Sequence, residues 1–136
     1  MLSTNVDYAY DVFVSYSSPD RVWVRTMLLP RLENACVRVW VDYRDARPGG
    51  LIVSEIEKAI AASRKIVLIV SQAYLDSAWT EFERALVQAG DPATRNRRIV
   101  PVLIESCSLP PSLSSLIHLN LTSAIDNPAE WERLLG

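Results

Sequence analysis

Hydrophobic positions along this chain fall into short runs, each closed by polar turn formers, with longer helix-spaced stretches between them. Val12, Phe13 and Val14 are β-branched or aromatic, so Tyr10 to Tyr16 predicts a first strand. Ser18-Pro19 then predicts a helix start, with a hydroxyl cap and proline at the first helical position. The first helix is expected over Pro19 to Glu33, with Val22, Trp23, Thr26, Met27, Leu28 and Leu32 as its apolar side. Pro30 lies inside it and predicts a kink or an early stop. Val37 to Val41 alternates around Arg38, the pattern of a half-covered edge strand. Asp42 to Gly50 is dense in charge and turn formers and reads as a loop.

Ser54 to Ser63 reads as the second helix, opened by a Ser54–Glu57 capping box. Ile66 to Val70 is uninterruptedly apolar, as a strand covered on both faces should be. After a polar connection over Ser71 to Asp76, a third helix is expected over Ser77 to Gln88, ended by Gly90-Asp91-Pro92. Ile99 to Ile104 predicts a fourth strand, with Pro101 a bulge or edge irregularity. Leu109 to Leu116 is a proline-broken segment with room for a helical turn or two. Ile117 to Leu121 predicts a fifth strand, and Asn127 to Leu135 a last helix with Pro128 at its first position. Strand and helix alternate throughout, which predicts an α/β fold: a five-stranded parallel sheet with helices on both faces and right-handed crossovers. Five strands favour the flavodoxin-like order 2-1-3-4-5. Residues 1–9 read as a lead-in and residues 10–136 as one domain.

Composition narrows the picture without changing it. At 136 residues the chain is one domain's length, and a chain of that size buries roughly 68–70% of its unfolded surface. The net charge of −2 implies no general affinity for nucleic acid. Cys36 and Cys107 lie far apart with no CxxC spacing, which points to reduced thiols and a cytoplasmic setting, with no metal site. Met1 to Asp7 carries no signal-peptide pattern, and no apolar run reaches a membrane span.

In an open α/β sheet, ligands bind beyond the carboxyl ends of the strands, where the winding reverses. The order 2-1-3-4-5 puts that reversal between the first and third strands. It gathers Ser15 to Ser18, Ser71 to Glu83 and the Asp42 to Gly50 loop at one end of the sheet. On the third helix Trp79 and Glu83 are four apart and share a face. Spacing alone leaves two readings open: an aromatic platform beside a carboxylate, or a core tryptophan followed by a solvated charge. The usual occupants of such a cleft fail on sequence. There is no G-x-G-x-x-G, no phosphate-binding G-x-x-x-x-G-K-[ST], and no clustered aspartates at the ends of strands one and three. His118, the single histidine, falls inside a strand, which leaves a serine or cysteine hydrolase without a base.

Three ordered motifs resemble the Toll/interleukin-receptor (TIR) domain family. They are Tyr10-Asp11-Val12-Phe13-Val14-Ser15-Tyr16-Ser17 with Asp20 behind, Arg44-Asp45-x-x-Pro48-Gly49, and Ser77-x-Trp79-Thr80-x-x-Glu83. Thr80 replaces the family's common cysteine, and Trp131 is placed for the C-terminal aromatic box. The resemblance runs from Tyr10 to Trp131 and implies one of two jobs. Many TIR domains hydrolyse NAD+, with the glutamate at the Glu83 position as the catalytic residue. Others act as signalling adaptors that self-associate through the BB loop, here Arg44, Asp45, Pro48 and Gly49. On the first reading NAD+ is the substrate and no separate cofactor is needed. Ser15, Tyr16 and Ser17 then line the floor, and Trp79 and Asp42 complete the substrate site. Arg44 and Asp45 serve either as part of the cover or as a pair pinning the loop. Self-association with other TIR domains is expected on both readings. Asp11 reads as a pairing residue at the strand's start, away from the site.

Overall fold

The strands form one parallel sheet in the order β2-β1-β3-β4-β5, as the sequence predicts. The computed structural model describes residues 9–41, 52–80, 82, 99–114, 119–122, 129 and 132–133. Asp42, Arg44, Asp45, Pro48, Gly49, Glu83, His118 and Trp131 lie outside them, as do the side chain of Ser54, the Gly90–Pro92 stop and the start of the expected last helix. The strands are β1 (Tyr10–Ser15), β2 (Val39–Val41), β3 (Ser63–Val70), β4 (Ile99–Leu103) and β5 (Leu119–Asn120). Each strand pair is parallel, with Phe13 level with Trp40 and Ile66, and Ile66 level with Ile99.

Successive strand residues face opposite sides of a sheet, and the core splits accordingly. On one face Phe13, Ile66, Leu68 and Val70 pack with Ile56, Ala59 and Ile60 of helix α2 (Ile52–Ala62), with Leu113 of the short α4 (Pro111–Ser114), and with Tyr74, Trp79 and Phe82. On the other, Val14, Val67, Ile69 and Val102 pack with Val24, Leu28, Leu29 and Leu32 of the first helix. Both faces of β3 are covered, which explains its uninterrupted apolar run.

The first helix, α1, runs over 18–34 as four consecutive segments: a 3₁₀ turn Ser18–Asp20, α-helix Arg21–Trp23, a π turn Val24–Leu28 and α-helix Leu29–Asn34. It does not stop at Pro30. A proline cannot donate, and its ring crowds the carbonyl four residues back. The π turn, in which the Leu29 N–H bonds to the Val24 carbonyl, widens the helix just before that point. It also inserts one residue into the helical register. Leu29 therefore joins Val24 in the core, whereas Val22, expected on the apolar side, is 70% exposed and Thr26 is exposed.

The ends of several elements differ from expectation. The cap of the 3₁₀ turn is Ser17, not Ser18. Helix α2 begins at Ile52, which puts Ser54 within its first turn instead of ahead of it, and β3 begins at Ser63. β2 starts at Val39, since Val37 is taken up by the end of α1: Val37 N–H bonds to the Leu32 carbonyl and Cys36 N–H to that of Glu33. These are the two bonds of a Schellman stop, and the left-handed position it requires is filled by Cys36, at φ 61°. Pro101 sits in β4 level with Leu68, and the described pairing with β5 begins one residue later, at Val102. Among the described residues no helix is long and apolar enough to cross a membrane.

Candidate functional site

The carboxyl ends of β1 and β3 lie side by side, with Ser15 level with Leu68, and the turns leaving them meet above the sheet edge. Successive residues at the end of β1 go to three different places. The Ser15 hydroxyl meets the Tyr74 hydroxyl at 3.0 Å in the core. Tyr16 is buried on the α1 side. Ser17 donates from Oγ to Asp20 Oδ2 at 2.7 Å, while Asp20 N–H bonds to the Ser17 carbonyl at 2.9 Å. These three residues, expected together along the floor, are therefore not brought together as one lining. Ser15 and Tyr16 diverge because the pleat alternates, and Ser17 is drawn toward the first helical turn.

β3 ends at Val70, and helix α3, described over 72–80, starts almost at once, so the polar connection expected over 71–76 is mostly helix. Ser71 is its cap. Ser71 Oγ accepts the Tyr74 N–H at 3.1 Å, and the Leu75 N–H bonds to the Ser71 carbonyl at 3.1 Å. The Ser71 hydroxyl proton is directed to Asp20 Oδ2, the same oxygen that Ser17 reaches. From the end of β4 the Glu105 carboxylate accepts the Gln72 N–H at 3.0 Å, a negative group at a helix N-terminus. Gln72 reaches down its own helix to Asp76 at 3.0 Å. Glu105 also acts on Cys107, whose thiol is pushed up first by burial and then by that neighbouring charge.

Helix α3 has a π turn of its own, Tyr74–Ala78, in which the Trp79 N–H bonds to the Tyr74 carbonyl. Residues five apart come onto one face in such a turn, so Tyr74 and Trp79 meet, with ring centroids 6.4 Å apart. Trp79 then stacks on Phe82 at 5.8 Å and 20°. Trp79 is 7% exposed, and these described contacts are packing contacts in the core layer. Phe82 is helical and fully buried, and Glu83 follows it in the sequence.

At the opposite end of β1, Asp11 takes the Arg38 backbone N–H at 2.9 Å and its guanidinium at 3.2 Å. The bonds from Arg38 hold the Asp11 carboxyl below its usual range. This is the pairing expected of it, remote from the crevice.

Asp20 and Ser71 are the pair that sequence reasoning missed. Their bond spans 51 residues, and local spacing carries no trace of it. Ser71 did carry a signal, a hydroxyl directly after a buried strand.

A sequence model described as the TIR domain matches residues 12–135. The chain belongs to the TIR-domain family. It is 38% identical to Toll-like receptor 2 type-2 of Gallus gallus over 79 residues, 57% of this chain and 10% of the receptor. Against Toll-like receptor 4 of Felis catus it is 33% identical over 99 residues, 71% of this chain and 12% of the receptor. The chain thus spans about a tenth of the length of these relatives. Its TIR fold matches the crystal structure of the TIR domain of the Toll-related receptor TRR-2 from Hydra magnipapillata, with TM-score 0.77, 26% identity, and 92% and 94% of the two chains covered. A TIR-STING receptor from C. gigas in complex with 2',3'-cGAMP matches with TM-score 0.77 and 27% identity, over 98% of this chain and 41% of that one.

Proposed function

We propose that this TIR domain hydrolyses NAD+, in the cytoplasm, when several copies assemble, with Glu83 as the catalytic residue. The observation that carries the reading is where Ser77-x-Trp79-x-x-x-Glu83 begins. Ser77 and Trp79 lie on a helix launched directly from the sheet's crossover crevice, Trp79 is anchored in the core, and Glu83 follows Phe82 in the sequence. The crevice is where an open α/β sheet takes its ligands.

One carboxylate suffices for this chemistry. The bond between ribose C1′ and the nicotinamide nitrogen breaks with both electrons going to nitrogen. That cancels the ring's positive charge, and nicotinamide leaves neutral without a proton. Ordinary glycosidases need an acid as well as a second carboxylate. What remains is a ribosyl cation, which a nearby carboxylate stabilises through its charge and through bonds to the ribose hydroxyls. Water then adds at C1′ and loses a proton, giving ADP-ribose; capture by the adenine instead gives a cyclised product. Removal of Glu83 should cost on the order of 3 kcal/mol in barrier, about 10²-fold in rate. Nicotinamide release by concentrated or scaffolded protein, compared with Glu83→Gln, tests the reading.

A second reading draws support from the Toll-like receptor relatives: a non-catalytic signalling adaptor in innate immunity that works by TIR–TIR contact. It rests on Arg44, Asp45, Pro48 and Gly49. Under it Pro48→His abolishes association, Glu83→Ala leaves association intact, and no variant consumes NAD+.

A further inference from the structure

We propose that Asp20 is a positioning residue for helix α3, whose sequence leads on to Glu83, acting through Ser71; this rests on the hydrolase reading above. One oxygen of Asp20 accepts two hydroxyls, from Ser17 in its own turn and from Ser71 at the head of α3. A serine hydroxyl has one proton. Committing it to Asp20 turns the oxygen's lone pairs toward the Tyr74 N–H, the bond that caps the helix. Hydrogen bonds polarise one another along such a chain, so the carboxylate strengthens the cap from behind.

What the cap holds is unusual. Tyr74, the capped residue, opens the π turn Tyr74–Ala78, and Trp79 closes it. A π turn holds one more residue than an α turn. Its loss would rotate everything beyond it by roughly 100°, one residue's worth of helix. The clasp from Asp20 through Ser71 to Tyr74 therefore fixes the register of Ser77 and Trp79, the first residues of the motif that ends in sequence at Glu83. The Tyr74 hydroxyl, seated against Ser15, anchors the same residue from its side-chain end.

Steady-state NAD+ hydrolysis by the assembled protein tests this. Asp20→Ala and Ser71→Ala should each lower kcat by about tenfold to a hundredfold, the cost of a small misplacement, with KM changed less than about twofold. The double variant should be no slower than the slower single, since the two act as one unit. Asp20→Asn keeps an acceptor but not its charge and should fall between wild type and Asp20→Ala. Asp11→Ala, which breaks an ion pair at the far end of β1, should leave kcat unchanged and so controls for general loss of stability. Full kcat in a folded Asp20→Ala protein overturns the inference while leaving the hydrolase reading standing. A double variant much slower than either single would mean that Asp20 and Ser71 act separately, which also overturns it. If wild type releases no nicotinamide, or Glu83→Gln is as fast as wild type, the hydrolase reading falls and the positioning role falls with it.

Discussion

Cys36 occupies a backbone conformation that glycine fills without cost. At φ 61° its Cβ crowds the neighbouring carbonyl, a strain of about 1–2 kcal/mol for a residue with a side chain. Glycine there loses more freedom on folding, so Cys36→Gly should gain only about 0.5–1 kcal/mol, read as a higher denaturant midpoint at unchanged slope. Cys36 is exposed, so the change removes no core contact. Asp11 gives a prediction in pH. Its folded carboxyl is held below its ordinary 3.8, first by the side-chain bond from Arg38. The stabilisation is therefore present above pH 3.8 and fades as pH falls below it, through the folded value. The pair is solvent-exposed, so it is worth about 1 kcal/mol at most. Asp11→Asn should lose that much at neutral pH and converge on wild type in strong acid, as thermal unfolding across pH will show.

At the scale of the element, the capped start of α3 is the feature with most leverage. Ser71→Ala removes the oxygen that takes the Tyr74 N–H and strips Asp20 of one of its two hydroxyls. It should cost about 1–2 kcal/mol, at the upper end for a cap, measured by equilibrium denaturation. Element types were legible in the sequence because Ile66 to Val70 of β3 is apolar without a break and α2 and α1 carry helix-spaced apolar positions. Their ends were less so. Ser18-Pro19 pointed to a cap at Ser18, while the chain caps at Ser17, whose hydroxyl bonds to Asp20 and not to the backbone. Pro30 pointed to a break, but a π turn absorbed it one turn earlier. Periodicity assumes one register along a helix, so it misassigned Val22 and missed Val24 and Leu29. The same limit hid the contact between Tyr74 and Trp79, five apart.

Across the whole molecule, alternation implied a parallel sheet with right-handed crossovers, which has few solutions, and five strands favoured the order that the sheet has. The site was legible only in part. The place where Ser15–Ser17 and Ser71 meet could be read from topology, but not the Asp20–Ser71 clasp that joins them. On the proposed reading, function at this scale depends on copies coming together. If assembly completes the site, the rate per molecule should rise with protein concentration, and Pro48→His should abolish both that rise and association measured by light scattering. Glu83→Gln should keep association while losing turnover. The most direct measurement is nicotinamide released from NAD+ by concentrated or scaffold-assembled wild-type protein beside its Glu83→Gln variant. Catalysis by Glu83 predicts steady release by the first and at least about 10²-fold less by the second. Equal rates, or no release by an assembled wild-type protein, would contradict it.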